Sequence, residues 1–307
     1  MKTIIVSLNS VIDKHFYFDK FALNEENFSN KTEIYAAGKG VNIAKALSIF
    51  DSPFELVMLL GEDNYSFFNE LLSKYSISSH YVLTRGRIRE NISIHSPQIS
   101  ETRICSNDFF TTDEKCIQVF NKAYELTSYG DIVIFSGRLP KGISKNIVVK
   151  KISEFQKKNV KLILDSSSFD INDYYILRPF LIKPNENEIK IFGEKEKECI
   201  DSLIKVGVEN IAVSKGEKGI SLYNSKEIIE IIPPSITAIS TVGAGDSTVS
   251  GFAYGLMNKM EIKKAACFAV AFGTACCLTK GGDPPCKDKV KELVDLNNLV
   301  FHWFCIT

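Results

Sequence analysis

An α/β fold built on a mostly parallel sheet is what this 307-residue sequence predicts. Two observations carry the prediction. From Thr111 onward, short apolar runs of strand length alternate with helix-period segments, the pattern of strands joined by crossover helices. Before that point two β-rich blocks break the alternation, and they read as a small sheet projecting from the edge of the main one. No internal repeat, low-complexity tract or Pro/Gly-rich linker divides the chain. A single domain over 1–307, with a lid from approximately 13–37 and 81–106, is therefore preferred to two independent domains.

The elements follow in order. A short apolar run at 3–8 opens the chain as a strand and ends at Asn9-Ser10. Segments 15–21 and 33–37 are the first β-rich block. A helix pattern starts at the Gly38-Lys39-Gly40 turn and runs to Phe50, followed by a strand at 56–60 and a helix at 65–75. The second β-rich block holds strands at 91–95 and 101–105. Then come helix 114–127, strand 131–135, helix 145–157, strand 161–164 and strand 180–182. Helices lead from there to Val206, followed by strand 211–214 and a β excursion at 220–223 and 227–232. Helices over 244–258, 262–280 and 287–296 close the scheme. The aromatic tail Phe301-His302-Trp303-Phe304-Cys305 is expected to pack onto the body, since loose aromatics would form a sticky patch.

Composition excludes several classes. The 37 basic and 37 acidic side chains cancel, so no global field favours nucleic acid or an anionic membrane. The weakly polar stretch 265–278 is bounded by lysines and falls short of the ~20 residues of a spanning helix. The first residues lack the long apolar core of a signal peptide. The eight cysteines are scattered without a C-x-x-C, and the four histidines form no ligand cluster. Buried free thiols in a cytoplasmic protein are the expectation.

Four segments carry chemistry. Gly243-Ala244-Gly245-Asp246 opens a helix after a β segment. Its glycines let backbone N–H groups approach a ligand, and a helix N-terminus adds partial positive charge, which makes an anion hole. Asp246 either complements the helix dipole or serves as a base beside a phosphate. Thr248 stands where a Rossmann fingerprint needs glycine, and no P-loop lysine follows. Ala36-Ala37-Gly38-Lys39-Gly40-Val41-Asn42 is a second glycine turn opening a helix, and taken alone it reads as a turn with a solvated lysine. In Lys183-Pro184-Asn185-Glu186-Asn187-Glu188, Asn185 and Glu188 share a helix face. They suit a hydrated magnesium ion or a helix cap equally well. Ser214-Lys215-Gly216-Glu217-Lys218-Gly219 reads as a turn at a strand end.

Together these segments resemble the PfkB (ribokinase-like) carbohydrate kinases, from Asn9 to about Gly282. Gly38-Lys39-Gly40-x-Asn42 is similar to the family's first signature, and Thr241-Val242-Gly243-Ala244-Gly245-Asp246 to its second. Asn9…Asp13-Lys14, Arg89-x-Asn91, Thr102-Arg103, Ser136-Gly137-x-Leu139-Pro140 and Lys183-Pro184-Asn185 resemble the branch of 1-phosphofructokinase, tagatose-6-phosphate kinase and the minor 6-phosphofructokinase. The chain departs from the pattern at Ala37, Ser10, Arg138, Ser168 and Lys215.

The resemblance implies a ribokinase-like fold, a mostly parallel sheet between helices with a β lid. It implies ATP- and Mg2+-dependent phosphorylation of a sugar hydroxyl. Asp246 would be the base, and the N–H groups of Gly243, Ala244 and Gly245 would stabilise the transferred phosphoryl group. Asp13, Gly38, Lys39, Gly40 and Asn42 would bind the sugar, with Arg89, Arg103 and Arg138 on a phosphate it already carries. Without the resemblance, Arg89 and Arg103 read as solvated strand residues. Lys183, Asn185 and Glu188 would serve the triphosphate, the last two holding Mg2+ through water. Ser214, Gly216 and Gly219 would serve the nucleotide. Fructose 1-phosphate is the first expected acceptor and tagatose 6-phosphate or fructose 6-phosphate the next. The rival class is a non-catalytic sugar-phosphate sensor, which would not need Asp246. A homodimer through the lid fits the same expectation.

Overall fold

The computed structural model describes residues 1–107, 109–294 and 300–305. The chain begins β1 (Thr3–Ser7), β2 (Val11–Tyr17), β3 (Lys31–Ala37), α1 (Lys39–Ser48), β4 (Phe54–Gly61), α2 (Tyr65–Ser73) and β5 (His80–Thr84). It continues β6 (Arg89–Ser96), β7 (Ile99–Cys105), α3 (Asp113–Leu126), β8 (Ile132–Ser136), α4 (Lys145–Glu154), β9 (Lys161–Asp165), α5 (Ile171–Leu177) and β10 (Leu181–Ile182). It ends α6 (Glu196–Lys205), β11 (Asn210–Ser214), β12 (Ile220–Tyr223), β13 (Glu227–Ile232), α7 (Ala244–Met257), α8 (Ile262–Cys277), α9 (Lys287–Val294) and β14 (Val300–Cys305).

The strands form a ten-stranded sheet, β14-β13-β12-β11-β10-β9-β8-β1-β4-β5, and a four-stranded sheet, β3-β2-β6-β7. Pairing in the large sheet is parallel from β5 to β11 and antiparallel from β11 to β14. Its parallel strands are apolar on both faces because each face is covered. Ile5, Met58, Ile134 and Ile163 point to the side of α1, α2, α7 and α8. Val6, Val57, Phe135 and Leu164 point to the side of α3, α4, α5 and α6. The result is helices on both faces of a mostly parallel sheet, as the alternation predicted.

Helices α7 and α8 approach closely because glycine faces alanine between them. A Cβ on Gly251 would lie 2.5 Å from Ala269 Cα, and one on Gly255 2.6 Å from Ala265 Cα. That contact fixes where the N-terminus of α7 points.

The structure corrects several expected boundaries. His80–Thr84 pairs with β4 in the large sheet, so the small sheet begins its second half only at Arg89. The first β block is shifted, with β2 starting at Val11. Helix α5 was not expected, its seven residues being too short for a periodic signal. Its Asp170–Asp173 capping box is nonetheless present in the sequence. The expected helix after Glu154 tightens into a 3₁₀ turn at Phe155–Lys158. The aromatic tail adds a strand to the sheet by pairing with β13. The last two residues of the expected helix at 287–296 lie outside the described residues. The cysteines with described side chains are free thiols, and Cys105 and Cys286 are exposed rather than buried. Among the described residues no helix is long and apolar enough to cross a membrane.

Candidate active site

Neighbouring parallel strands β1, β8, β9, β10 and β11 all end on the same side of the sheet, where α/β folds bind ligands. Asp165, the last residue of β9, is 1% exposed. Its Oδ2 lies 3.1 Å from Lys39 Nζ, and its Oδ1 lies 3.3 Å from Lys183 Nζ. The Ser136 hydroxyl at the end of β8 also donates to Oδ2, at 3.1 Å. Burial works against the Asp165 carboxylate, but Lys183 and Lys39 outweigh it and hold the group below its ordinary range. Burial works against the Lys39 ammonium too, and the carboxylates of Asp165 and Asp246 outweigh it in turn. Asp165 was not among the residues expected at the site. Its only sequence signal is an acid at the end of an apolar strand.

Asp246 sits in the first turn of α7, and Asn42 Nδ2 donates to its Oδ2 at 2.7 Å. The helix starts at Gly243 with φ of 79°, a left-handed conformation suited to glycine, and no side chain caps it. Ala244 N–H turns back to Thr241 O at 3.3 Å, so of the three expected anion-hole donors Ala244 is committed to the turn and Gly243 and Gly245 are left to face a ligand. A Cβ on Gly245 would lie 3.5 Å from Lys183 Nζ, which places that lysine against the helix start. Burial, and next the like charge of Asp165, push Asp246 up to about 6, while Lys39, Asn42 and Lys183 pull the other way. The cluster thus has a carboxylate poised near neutrality, two ammonium groups and a helix N-terminus. It can accept a proton and stabilise an anion in one place.

A second cluster lies on the small sheet. Asp13 Oδ1 accepts from Asn91 Nδ2 at 2.8 Å and from Arg103 at 2.9 Å. Arg89 donates from Nε to Asn9 Oδ1 at 3.1 Å and from Nη1 to Asn91 Oδ1 at 3.3 Å. The arginines are therefore built into a side-chain network, which the solvated reading does not provide. Asp13, Asn42 and Gly243 line one cavity, so the two clusters face each other across it. Arg138 is exposed on the loop after β8, whose neighbouring residues are anchored. Gly137 N–H bonds Asp165 O at 3.0 Å, and Leu139 N–H bonds Ser168 Oγ at 3.1 Å.

Two expectations need correction. Gly40 is buried, and a Cβ there would lie 2.6 Å from Ser7 Cβ. Glycine is required at that position by the packing of α1 on β1. Asn185 Oδ1 accepts from the N–H groups of Asn187 and Glu188, both at 2.9 Å, and Glu188 Oε2 accepts from Asn185 N–H at 2.9 Å. This reciprocal cap commits the Asn185 oxygen. Glu188 keeps its second oxygen, and its charge reaches Lys39, so it alone of the pair fits a hydrated cation. Among the described residues no group of three or more His, Cys, Asp or Glu side chains forms a direct metal site.

On the far side, Ser214 bridges Asn185, and its N–H bonds Pro184 O at 3.0 Å. Gly216 and Gly219 have φ of 58° and 83° and shape the next turn. Gly38, with φ of 113°, does the same before α1. Lys215 turns away to Glu196 at 3.0 Å, which accounts for that departure from the family pattern.

The sequence profile of the pfkB family carbohydrate kinases matches residues 3–289. The chain is 27% identical to a 1-phosphofructokinase of Vibrio cholerae over 88% of its length and 87% of the relative's. It is 29% identical to that of Escherichia coli K12 over 83% and 84%. Phosphofructokinase-2 from Escherichia coli has the same fold, with a TM-score of 0.85 at 20% identity over 96% of this chain and 98% of that one.

The raised Asp246 has a stability consequence. Its folded pKa of about 6 exceeds the ordinary 3.8, so the folded state binds this proton more tightly than the unfolded one. At 1.36 kcal/mol per pKa unit, keeping it ionised costs about 3 kcal/mol. The cost is absent below about pH 4, grows as pH rises to about 6 and is constant above. Asp246→Asn should therefore be more stable than the native chain at pH 7–8, with the gap closing as pH falls toward 4. Urea unfolding at several pH values measures this, and equal stability at pH 7–8 would show that the carboxylate is not strained.

Proposed function

The chain belongs to the pfkB family of carbohydrate kinases, and on that premise we propose that it phosphorylates a ketohexose phosphate, fructose 1-phosphate before others. ATP is the donor and fructose 1,6-bisphosphate the product. Membership makes the protein a phosphotransferase with an alcohol group as acceptor. The relatives named 1-phosphofructokinase support the choice of sugar. The observation that carries the reading is Asp246, buried at the start of α7 between Asn42 and the Lys39–Asp165–Lys183 group.

In this reading Asp246 takes the proton of the attacking hydroxyl. The N–H groups of Gly243 and Gly245, with Lys183 and Lys39, stabilise charge on the phosphoryl group in flight, and Ala244 N–H, bonded to Thr241 O, holds the turn that presents them. Asp13 and Asn42 orient sugar hydroxyls. Arg89, Arg103 and Arg138 hold the phosphate already present, and the turn from Ser214 through Gly216 to Gly219 borders the nucleotide. Mg2+ bound with the triphosphate supplies charge neutralisation, and Glu188 would hold its water shell.

A coupled ADP-release assay over fructose 1-phosphate, fructose 6-phosphate, tagatose 6-phosphate and uncharged fructose tests the proposal. Fructose 1-phosphate should give the highest kcat/KM, and Asp246→Asn should lower kcat by at least ~10²-fold. Equal activity on uncharged fructose would sink the sugar-phosphate reading. Losing a charge-assisted hydrogen bond of about 1.5–3 kcal/mol, Arg89→Ala should lower kcat/KM for the sugar phosphate roughly ten- to a hundredfold. Slow turnover of the uncharged sugar should be unaffected, and an equal loss on both would make Arg89 structural.

Glu188→Gln should raise the Mg2+ concentration for half-maximal rate and leave sugar KM alone. Asn185→Ala should act on stability instead. The same Mg2+ dependence in Glu188→Gln and the native chain would reduce Glu188 to a cap.

The small sheet also supports self-association. Asp13, Asn91 and Arg103 carry its polar network, whereas the alternate positions Phe16, Ile92 and Ile104 share the opposite face. Ile104 is 55% exposed there. A homodimer through this face is expected. Ile104→Glu should shift the sedimentation coefficient to that of a monomer, and a chain monomeric without the substitution would refute the dimer.

A further inference from the structure

Lys45 is a lysine in a core position. It lies one turn beyond Asn42 on α1 and is 1% exposed, among the buried residues Val41, Ala44 and Leu47. Its Nζ donates to the Gly282 carbonyl at 2.9 Å. The same nitrogen lies 4.2 Å from the ring centre of Tyr75 and 5.6 Å from that of Tyr35. These partners come from the loop after α8, the segment after α2, and β3. Gly282 has φ of 93°, and a Cβ on it would lie 2.8 Å from the Tyr35 ring. The loop is therefore held between a lysine and a tyrosine. Gly282 and Asp283 of that loop line the same cavity as Asp13, Asn42 and Gly243, and Lys45 itself reaches its lining.

Burying an ammonium is costly, and a methionine of similar length would fill the space without that cost. What the charge holds must justify it. We propose that Lys45 is a positioning residue for the transfer reaction: it fixes the 280–284 loop and Tyr35 against α1, and so sets the width of the acceptor cavity beside Asn42 and Asp246. The kinetic part rests on the kinase reading, whereas the anchoring of the loop does not. The groups facing Lys45 are Asp283 on the loop, Asp13 on β2, Cys276 on α8, Tyr35 on β3 and Tyr75 after α2. Burial pushes the ammonium down to about 8 against the pull of Asp283, Asp13 and Cys276. Its charge is held below that pH and lost above it.

The test uses the full chain with Lys45→Met, Lys45→Arg and Tyr75→Leu. Lys45→Met should raise KM for the sugar phosphate by ~10-fold and leave KM for ATP alone, since a displaced wall misplaces only the acceptor. Lys45→Arg should recover part of the loss. It should also move the alkaline fall of kcat/KM for the sugar to higher pH, because guanidinium does not deprotonate there. Tyr75→Leu, which keeps the lysine, should be intermediate. In hydrogen exchange, the amides of Thr279 and Asp283, bonded to Cys276 O and Lys280 O at 3.0 and 3.1 Å, should exchange at least ~10-fold faster in Lys45→Met. Unchanged exchange overturns the proposal, as does faster exchange with the native sugar KM. Faster exchange in a protein whose native chain turns over no sugar phosphate would uphold the anchor and defeat the kinase reading.

Discussion

One buried carboxylate, Asp165, holds two lysines, and the site is arranged around that fact. Lys39 begins α1 and Lys183 follows β10, so the three charges tie a helix start to two strand ends. Each member makes the others tolerable. Without the lysines, a carboxylate this deeply buried would take up a proton. Without the carboxylate, the buried Lys183 ammonium would lose its counter-charge and feel only the like charge of Lys39. Asp246 feels both signs. Asp165 raises its proton affinity and the lysines lower it, so a group that burial alone would neutralise stays near the ionised range.

Much of this was legible in sequence because it follows from periodicity. Alternating strand and helix lengths gave the parallel sheet, and glycines before Asn42 and Asp246 marked the two helix starts that meet at 2.7 Å. What escaped has physical reasons. Asp165 ends an apolar strand whose neighbours in space lie some distance away in sequence, and pairing across a sheet leaves no local trace. Lys45 sits on the buried face of α1, where a lysine interrupts the apolar period without marking a partner. Asn185 and Glu188 fit a cap and a cation site alike in sequence, and it is the folded turn that commits the amide oxygen to two N–H groups. β5 joins the large sheet and not the small one, because sequence order does not determine which sheet a short strand pairs with.

The site carries costs that the rest of the molecule offsets. An ionised Asp246 and a buried Lys45 both oppose folding, while the α7–α8 contact and the two-sided apolar sheet favour it. Placing the strained groups on α1 and α7, which pack on the same core, lets one set of apolar contacts hold both in register.

The pairing of β14 with β13 bears on how the protein must be handled. A strand at the border of a sheet offers unpaired backbone donors and acceptors to any passing chain. Residues 300–305 take up that border on β13, whose Ile229 and Ile231 are wholly buried. β14 is itself the border strand, so trimming the chain before Val300 would move the open edge inward to β13 and its buried isoleucines.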